Sequence, residues 1–366
     1  MNDLSQKLLA IIQDGFPLVE RPYKALAETL NVSEQEVLDA VEMLRVSGVI
    51  RRIGGVYDSK KLGFISRLCA GMVPTSSQDF STESHDETPM EKFAAVVMGE
   101  PAITHNYIRS HEYNVWFTVI AENEAAIETV VERVCAKTEL HDVHVLSATK
   151  KFKINTVMGA SAPVVSRQWL VNRVGDESVV TERHSDNRRL EESSNFRGNL
   201  SESDKSRIRT ACGDIPHTHT PFKDWGVSCD ELREDLAAKR MRRFGAILRH
   251  QNAGFAFNAM VCFRLNEEPF ADSRHSDNPA LRHSDNRRLE ESSKVLVLAK
   301  KHYVSHCYER PTFEGFSYNL YAMIHAQTRE ELDCYIKEAA ALLETSEFVV
   351  LHSVRELKKT SFGFFL

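Results

Sequence analysis

A chain of 366 residues exceeds one ordinary domain and predicts two to four. Its formal net charge of -6 excludes a general electrostatic attraction to nucleic acid or anionic membrane, so affinity for an anion has to come from particular arginines. The seven cysteines (Cys69, Cys135, Cys212, Cys229, Cys262, Cys307, Cys334) form no C-x-x-C pair, which argues against a zinc ribbon, a four-cysteine iron–sulfur cluster and a disulfide framework.

Leu4, Leu8, Ile11 and Ile12 predict an amphipathic first helix ending at Asp14-Gly15. The mixed-charge start has no basic n-region, and no apolar run reaches the roughly 18 residues of a membrane span; both predict a cytoplasmic protein. A short second helix follows Arg21-Pro22, and Ser33 with Glu36 makes a capping box for a third, closed by Gly48. Val49 to Tyr57 reads as a β-wing. Residues 1–60 are thus a winged helix-turn-helix, whose default role is DNA binding. The helix that would enter the groove carries Glu34, Glu36, Asp39 and Glu42 against Arg45 alone, the wrong sign for phosphate, so no DNA is expected and a packing module is the better reading.

Residues 61–158 read as strand, polar loop, helix (Met90 to Met98), strand, strand (Tyr113 to Ile120), helix (Glu122 to Val134) and strand (Val143 to Ala148). That βαββαβ order is ferredoxin-like. The second half repeats it. Arg51-Arg52-Ile53-Gly54 corresponds to Arg242-Arg243-Phe244-Gly245, Tyr113-Asn114 to Tyr318-Asn319, and Leu146 onwards to Leu351 onwards. The fold class is therefore α+β, a tandem duplication forming a covalent pseudo-dimer and leaving further self-association open. Its remaining parts are a linker at 159–203, a degraded winged helix at 204–250 interrupted by Pro216 and Pro221, and a second ferredoxin-like domain at 251–366. Arg183 to Ser194 recurs letter for letter at Arg282 to Ser293, in places that do not correspond in the two halves. The polar repeat reads as an inserted segment, in the linker and in a loop at about 272–293, rather than a metal or anion site.

The most informative repeat is short. Thr104-His105-Asn106-Tyr107-Ile108-Arg109 recurs as Ser305-His306-Cys307-Tyr308-Glu309-Arg310. In a strand, His105, Tyr107 and Arg109 share one face, as do His306, Tyr308 and Arg310, and each face spans about 13 Å, suited to a large anion. One copy alone would read as the polar side of a half-solvated sheet; two copies favour a ligand.

Together with Lys61-Leu62-Gly63-Phe64, Asn258-Ala259-Met260, Tyr318-Asn319 and His325, these stretches resemble the sirohaem decarboxylases of the alternative haem and denitrification haem pathways, which share the Lrp/AsnC regulator architecture. The resemblance covers nearly everything outside the inserted segments and the linker. It implies a lyase that removes two acetate carboxyl groups from sirohaem, giving didecarboxysirohaem, with no cofactor beyond the iron already in the substrate. Binding eight carboxylates on a planar ring calls for bidentate arginines. Arg51, Arg52, Arg242 and Arg243 are candidates, with His250, Asn258, Tyr318 and His325 as further substrate contacts. His306 and, by duplication, His105 are candidate acids, since histidine titrates near working pH; Arg310 and Arg109 would hold carboxylates, and Tyr308 and Tyr107 would orient substrate or relay the proton. The specialised second half is expected to be the main catalytic one. A ligand-responsive regulator would need a basic recognition helix, and a non-catalytic haem or sirohaem sensor would differ only in turnover.

Overall fold

In the computed structural model, residues 2–74, 87–154, 200–249, 255–265, 292–359 and 362–365 are described. Both copies of the inserted repeat fall almost wholly outside these residues, as does His250.

The first winged helix contains α1 (Asp3–Asp14), α2 (Pro22–Leu30) and α3 (Glu34–Val46), with Leu8, Ile12, Leu26, Val37 and Val41 fully buried among them. The Ser33–Glu36 capping box closes reciprocally, satisfying two amides at the start of α3. The expected wing, β1 (Ile50–Tyr57), is the first departure. Among the described residues it pairs with no strand of its own half but runs antiparallel to β7 (Met241–Leu248) of the second half, with Gly54 directly opposite Gly245. Around this shared ribbon, α6 (Glu202–Ala211), α7 (Pro221–Trp225) and α8 (Cys229–Ala237) join α1 to α3 in a single apolar core. The glycines have a steric reason: a Cβ on Gly54 would lie 2.3 Å from the Gly213 carbonyl oxygen, and one on Gly245 would lie 2.5 Å from that of Ile12. Helix α7 has five residues, with Pro221 in its first turn, as expected of the interrupted second winged helix.

The acidic α3 faces the other half. Arg45 pairs with Asp214 at 3.0 Å, while Glu42 and Glu34 approach His217 (3.8 Å) and His219 (3.3 Å). The partners of this histidine pair come from a helix some 180 residues earlier, on the order of the length of one domain. Here a recognition-type helix does serve as a packing surface.

The remaining strands are β2 (Ile65–Met72), β3 (Ile103–Arg109), β4 (Val115–Ala121), β5 (His141–Leu146), β6 (Lys150–Ile154), β8 (Phe257–Phe263), β9 (Val304–Glu309), β10 (Leu320–Ala326) and β11 (Phe348–Lys359). They form one antiparallel sheet in the order β5-β2-β4-β3-β11-β8-β10-β9-β6. Its end strands β5 and β6 are consecutive in the chain, separated by residues 147–149. The halves are joined by strand exchange. The start of β11 pairs with β8 of its own half and its end with β3 of the other; β5 pairs with β2, but β6 crosses to β9. Strand β6 lies beyond Val143 to Ala148, the last strand the sequence predicts for the first domain.

Helices α4 (Pro89–Gly99) and α5 (Glu124–Lys137) cover one outer face; a helix over 292–300, α9, and α10 (Arg329–Leu343) cover the other. Inside, Trp116, Tyr321, Phe316, Met260, Leu146 and Leu351 from both halves pack together. Two asparagines reveal the duplication in atomic detail. Asn114 clamps both backbone groups of Val73 (2.9 and 2.7 Å), and Asn319 does the same to Leu265 (2.8 and 3.0 Å). Among the described residues no helix is long and apolar enough to cross a membrane.

Candidate active site

Each copy of the repeated stretch begins with the same irregularity. Between β3 and β4 the register passes from Ile103↔Val119 to His105↔Thr118, leaving Thr104 as an extra residue; between β9 and β10, Ser305 is the extra residue. Such bulges re-aim the side chain that follows. In both copies the bulged hydroxyl lies 2.9 Å from Nδ1 of that following histidine, Thr104 to His105 and Ser305 to His306. Nδ1 is thereby engaged in both copies. These two hydroxyls were not assigned a role from sequence, although a small hydroxyl residue before each histidine was the visible signal.

Past the bulge, alternation holds as expected. Tyr107 is the cross-strand partner of Trp116, and Tyr308 that of Tyr321, so both phenols lie on the face that carries the inner core. The Arg109 guanidinium sits 4.7 Å from the Tyr107 ring and that of Arg310 sits 5.2 Å from Tyr308. The His306 and Tyr308 rings are near-parallel at 6.1 Å. Burial pushes the Tyr308 hydroxyl up to about 12 and raises that of Tyr107 further, keeping both phenols protonated and able to donate.

The two arginines also fasten the exchanged strands. Arg109 donates to the Leu351 carbonyl at 3.1 Å, and Arg310 to that of the equivalent Leu146 at 2.8 Å. Arg109 is further engaged by Ser353 Oγ at 2.7 Å, whose own hydroxyl donates to Asn258 at 2.6 Å. Asn258 therefore belongs with Arg109. His325 belongs with His306, since Ser305 Oγ lies 2.9 Å from His325 Nε2 as well as from His306 Nδ1. Tyr318 packs at the end of the inner core, 5.0 Å from the Phe316 ring.

The ribbon arginines divide in two. Arg51 lies within electrostatic reach of Tyr107 and Glu356, and Arg242, which donates to the Tyr57 carbonyl at 3.2 Å, within reach of Tyr308 and Lys151. Their neighbours point the opposite way. Arg52 donates to the carbonyls of Gly213 (3.1 Å) and Gly55 (3.2 Å), and Arg243 to those of Ala246 (3.1 Å) and Gln13. Each thus ties the ribbon to the helix end of the opposite half, where burial lowers both guanidiniums to about 10. The ribbon's irregularities mark the split: Arg51 and Arg242 are the residues left over where the register shifts, between Ile50 and Arg52 and opposite the Val56–Tyr57 step, while Arg52 and Arg243 hold paired positions. Arg52 and Arg243, expected as substrate contacts, carry structural hydrogen bonds between the halves.

A cleft of about 230 Å³ between α4 and α5, lined by Ala95, Glu100 and Arg133 among others, lies on the outer helical layer and contains none of these groups. The groups above meet where the sheet faces the ribbon, once in each half.

Residues 5–51 match the Siroheme decarboxylase NirDL-like HTH domain, and residues 82–153 and 281–358 match the AsnC-like ligand binding domain. Over its whole length the chain is 29% identical to a siroheme decarboxylase of Hydrogenobacter thermophilus, covering 96% of that protein. Over 154 residues, 42% of this chain, it is 41% identical to the siroheme decarboxylase alpha subunit of Desulfovibrio desulfuricans, covering 82% of that subunit. Among solved structures, the siroheme decarboxylase NirDL superposes with a TM-score of 0.60 at 25% identity, covering all of this chain and 95% of that one. The same protein in complex with an iron-uroporphyrin III analogue superposes with a TM-score of 0.59.

Proposed function

The chain belongs to the sirohaem decarboxylase family, and from that premise we propose that it is a carboxy-lyase converting sirohaem to didecarboxysirohaem, with His306, Tyr308 and Arg310 as the main catalytic set. The observation that carries this reading is the repeated histidine–tyrosine–arginine face, each copy within electrostatic reach of a ribbon arginine, Arg242 for Tyr308 and Arg51 for Tyr107.

In the reaction, the bond between an acetate methylene and its carboxylate breaks and carbon dioxide leaves. The electron pair stays on the methylene carbon, delocalised into the macrocycle, until a proton converts it to methyl. No electrons are gained or lost overall, so the only reagent the protein must supply is a proton. His306 fits that role because an imidazole can give up a proton near neutrality and Ser305 fixes the ring through Nδ1. Arg310 and Arg242 would grip carboxylates of the ring, since guanidinium retains its charge even where burial lowers its pKa. Tyr308, protonated throughout the neutral range, would donate to another carboxylate and fix the ring over His306. The iron enters with the substrate, and no further cofactor is required by this chemistry.

The test is an anaerobic incubation of the purified chain with sirohaem, followed by mass spectrometry of the extracted tetrapyrrole. Loss of two carbon dioxide masses is expected. Recovery of intact sirohaem from a tight complex would favour the non-catalytic sensor instead.

A further inference from the structure

The two copies of the site differ in what faces the tyrosine. The cross-strand partner of Tyr308 is Lys151 on β6, whereas that of Tyr107 is Glu356 on β11. These are equivalent positions, each five residues past the leucine whose carbonyl receives the site arginine. Direct cross-strand partners present their side chains on the same face, roughly 5 Å apart. One tyrosine therefore lies beside a cation, and the other donates its hydroxyl to a carboxylate.

Two more differences run the same way. Ser305 links His306 to His325, but the residue at the corresponding place in β4 is Ile120, whose amide donates to Ala102 just as that of His325 donates to Tyr303 (2.9 Å each). Arg109 is held by Leu351, Ser353 and the Met323 sulfur, while among the described residues Arg310 makes one hydrogen bond, to Leu146. The His306 copy thus keeps more donor capacity on its arginine, a second histidine behind its first, and a lysine where its twin has an acid.

We propose that the copies are unequal: the His306 copy is the single tetrapyrrole site, and in the His105 copy the Glu356 carboxylate stands where a substrate carboxylate would bind, closing that copy to a polyanionic ligand. This rests on the decarboxylase reading and specifies how many sites carry it. Glu356 acts there as a built-in competitor, already paired with Tyr107 and within reach of Arg51. An incoming carboxylate meets like charge as well as occupied donors.

The experiment is an anaerobic spectroscopic titration of the full chain with sirohaem, counting equivalents bound, on wild type, Glu356→Lys, Glu356→Gln and Lys151→Glu. Wild type is expected to bind one equivalent. Glu356→Lys should raise this towards two while leaving the first site's affinity unchanged, and Glu356→Gln, which preserves shape, should reveal a second, weaker site. Lys151→Glu should weaken the first site on the order of tenfold to a hundredfold. Two equal sites in wild type, one equivalent in both Glu356 variants, or unaltered affinity in Lys151→Glu would overturn the inference while leaving the family reading intact. A wild-type chain that binds no sirohaem would overturn both.

Discussion

The faces built around His105 and His306 have the same strand, the same bulge and the same three side chains, yet their surroundings are opposite in character. Thr104 and Ser305 hold the two histidines at the same 2.9 Å, and Arg109 and Arg310 grip equivalent carbonyls. What differs is contributed by the strand that arrives from the other half, Lys151 in one case and Glu356 in the other. A duplicated chain can keep both copies of a scaffold because each fastens the other's last strand, while only one copy needs to retain the chemistry. The arginine that would hold a carboxylate is also a fastener, which gives the twin site a reason to persist without turnover.

The sharpest way to break this comparison is to remove each histidine separately. His306→Ala should lower single-turnover decarboxylation on the order of a hundredfold to ten-thousandfold, as expected for loss of a general acid, with His105→Ala within about threefold of wild type. Equal losses would show two working sites.

The ribbon arginines give a second contrast. Arg52→Ala and Arg243→Ala should each lower the unfolding free energy in urea by about 2–3 kcal/mol, through lost hydrogen bonds from a charged donor to helix-end carbonyls. Sirohaem affinity of the folded fraction should remain near that of wild type. Arg242→Ala should do the reverse, weakening sirohaem binding about tenfold with little change in stability. A binding defect in Arg52→Ala would return that residue to the substrate site.

Ser305 is a positioning residue. Ser305→Ala should reduce turnover about tenfold and move the pH–rate profile, because His306 Nδ1 loses its partner, and Ser305→Thr should restore both. Thr104→Ala should leave rate and profile alone.

The smallest effect concerns Tyr308. Burial raises its hydroxyl to about 12 from the ordinary 10, so the unfolded chain releases this proton first. The stability tied to it is intact below pH 10 and lost as pH climbs towards 12. Wild type and Tyr308→Phe should therefore show the same stability trend from pH 7 to 9 and separate only above pH 10, by thermal melts.

By itself, the sequence determined what depends on near neighbours. Capping at Ser33, the two-residue period that unites His105 with Tyr107 and Arg109, and the duplication all follow from local spacing, and the fold class follows from their order. It also held a signal that went unread: a lysine and a glutamate at equivalent places, Lys151 and Glu356. Their meaning depends on which strand they pair with, and strand pairing across halves is set by the assembly of the whole sheet rather than by any local pattern. The same holds for the arginine pairs. Only the β1–β7 ribbon, with Arg51 and Arg242 left over at its two register shifts, decides which arginine of each pair faces the site. The tertiary structure alone brought each last strand across to the other half and so made two similar faces unequal.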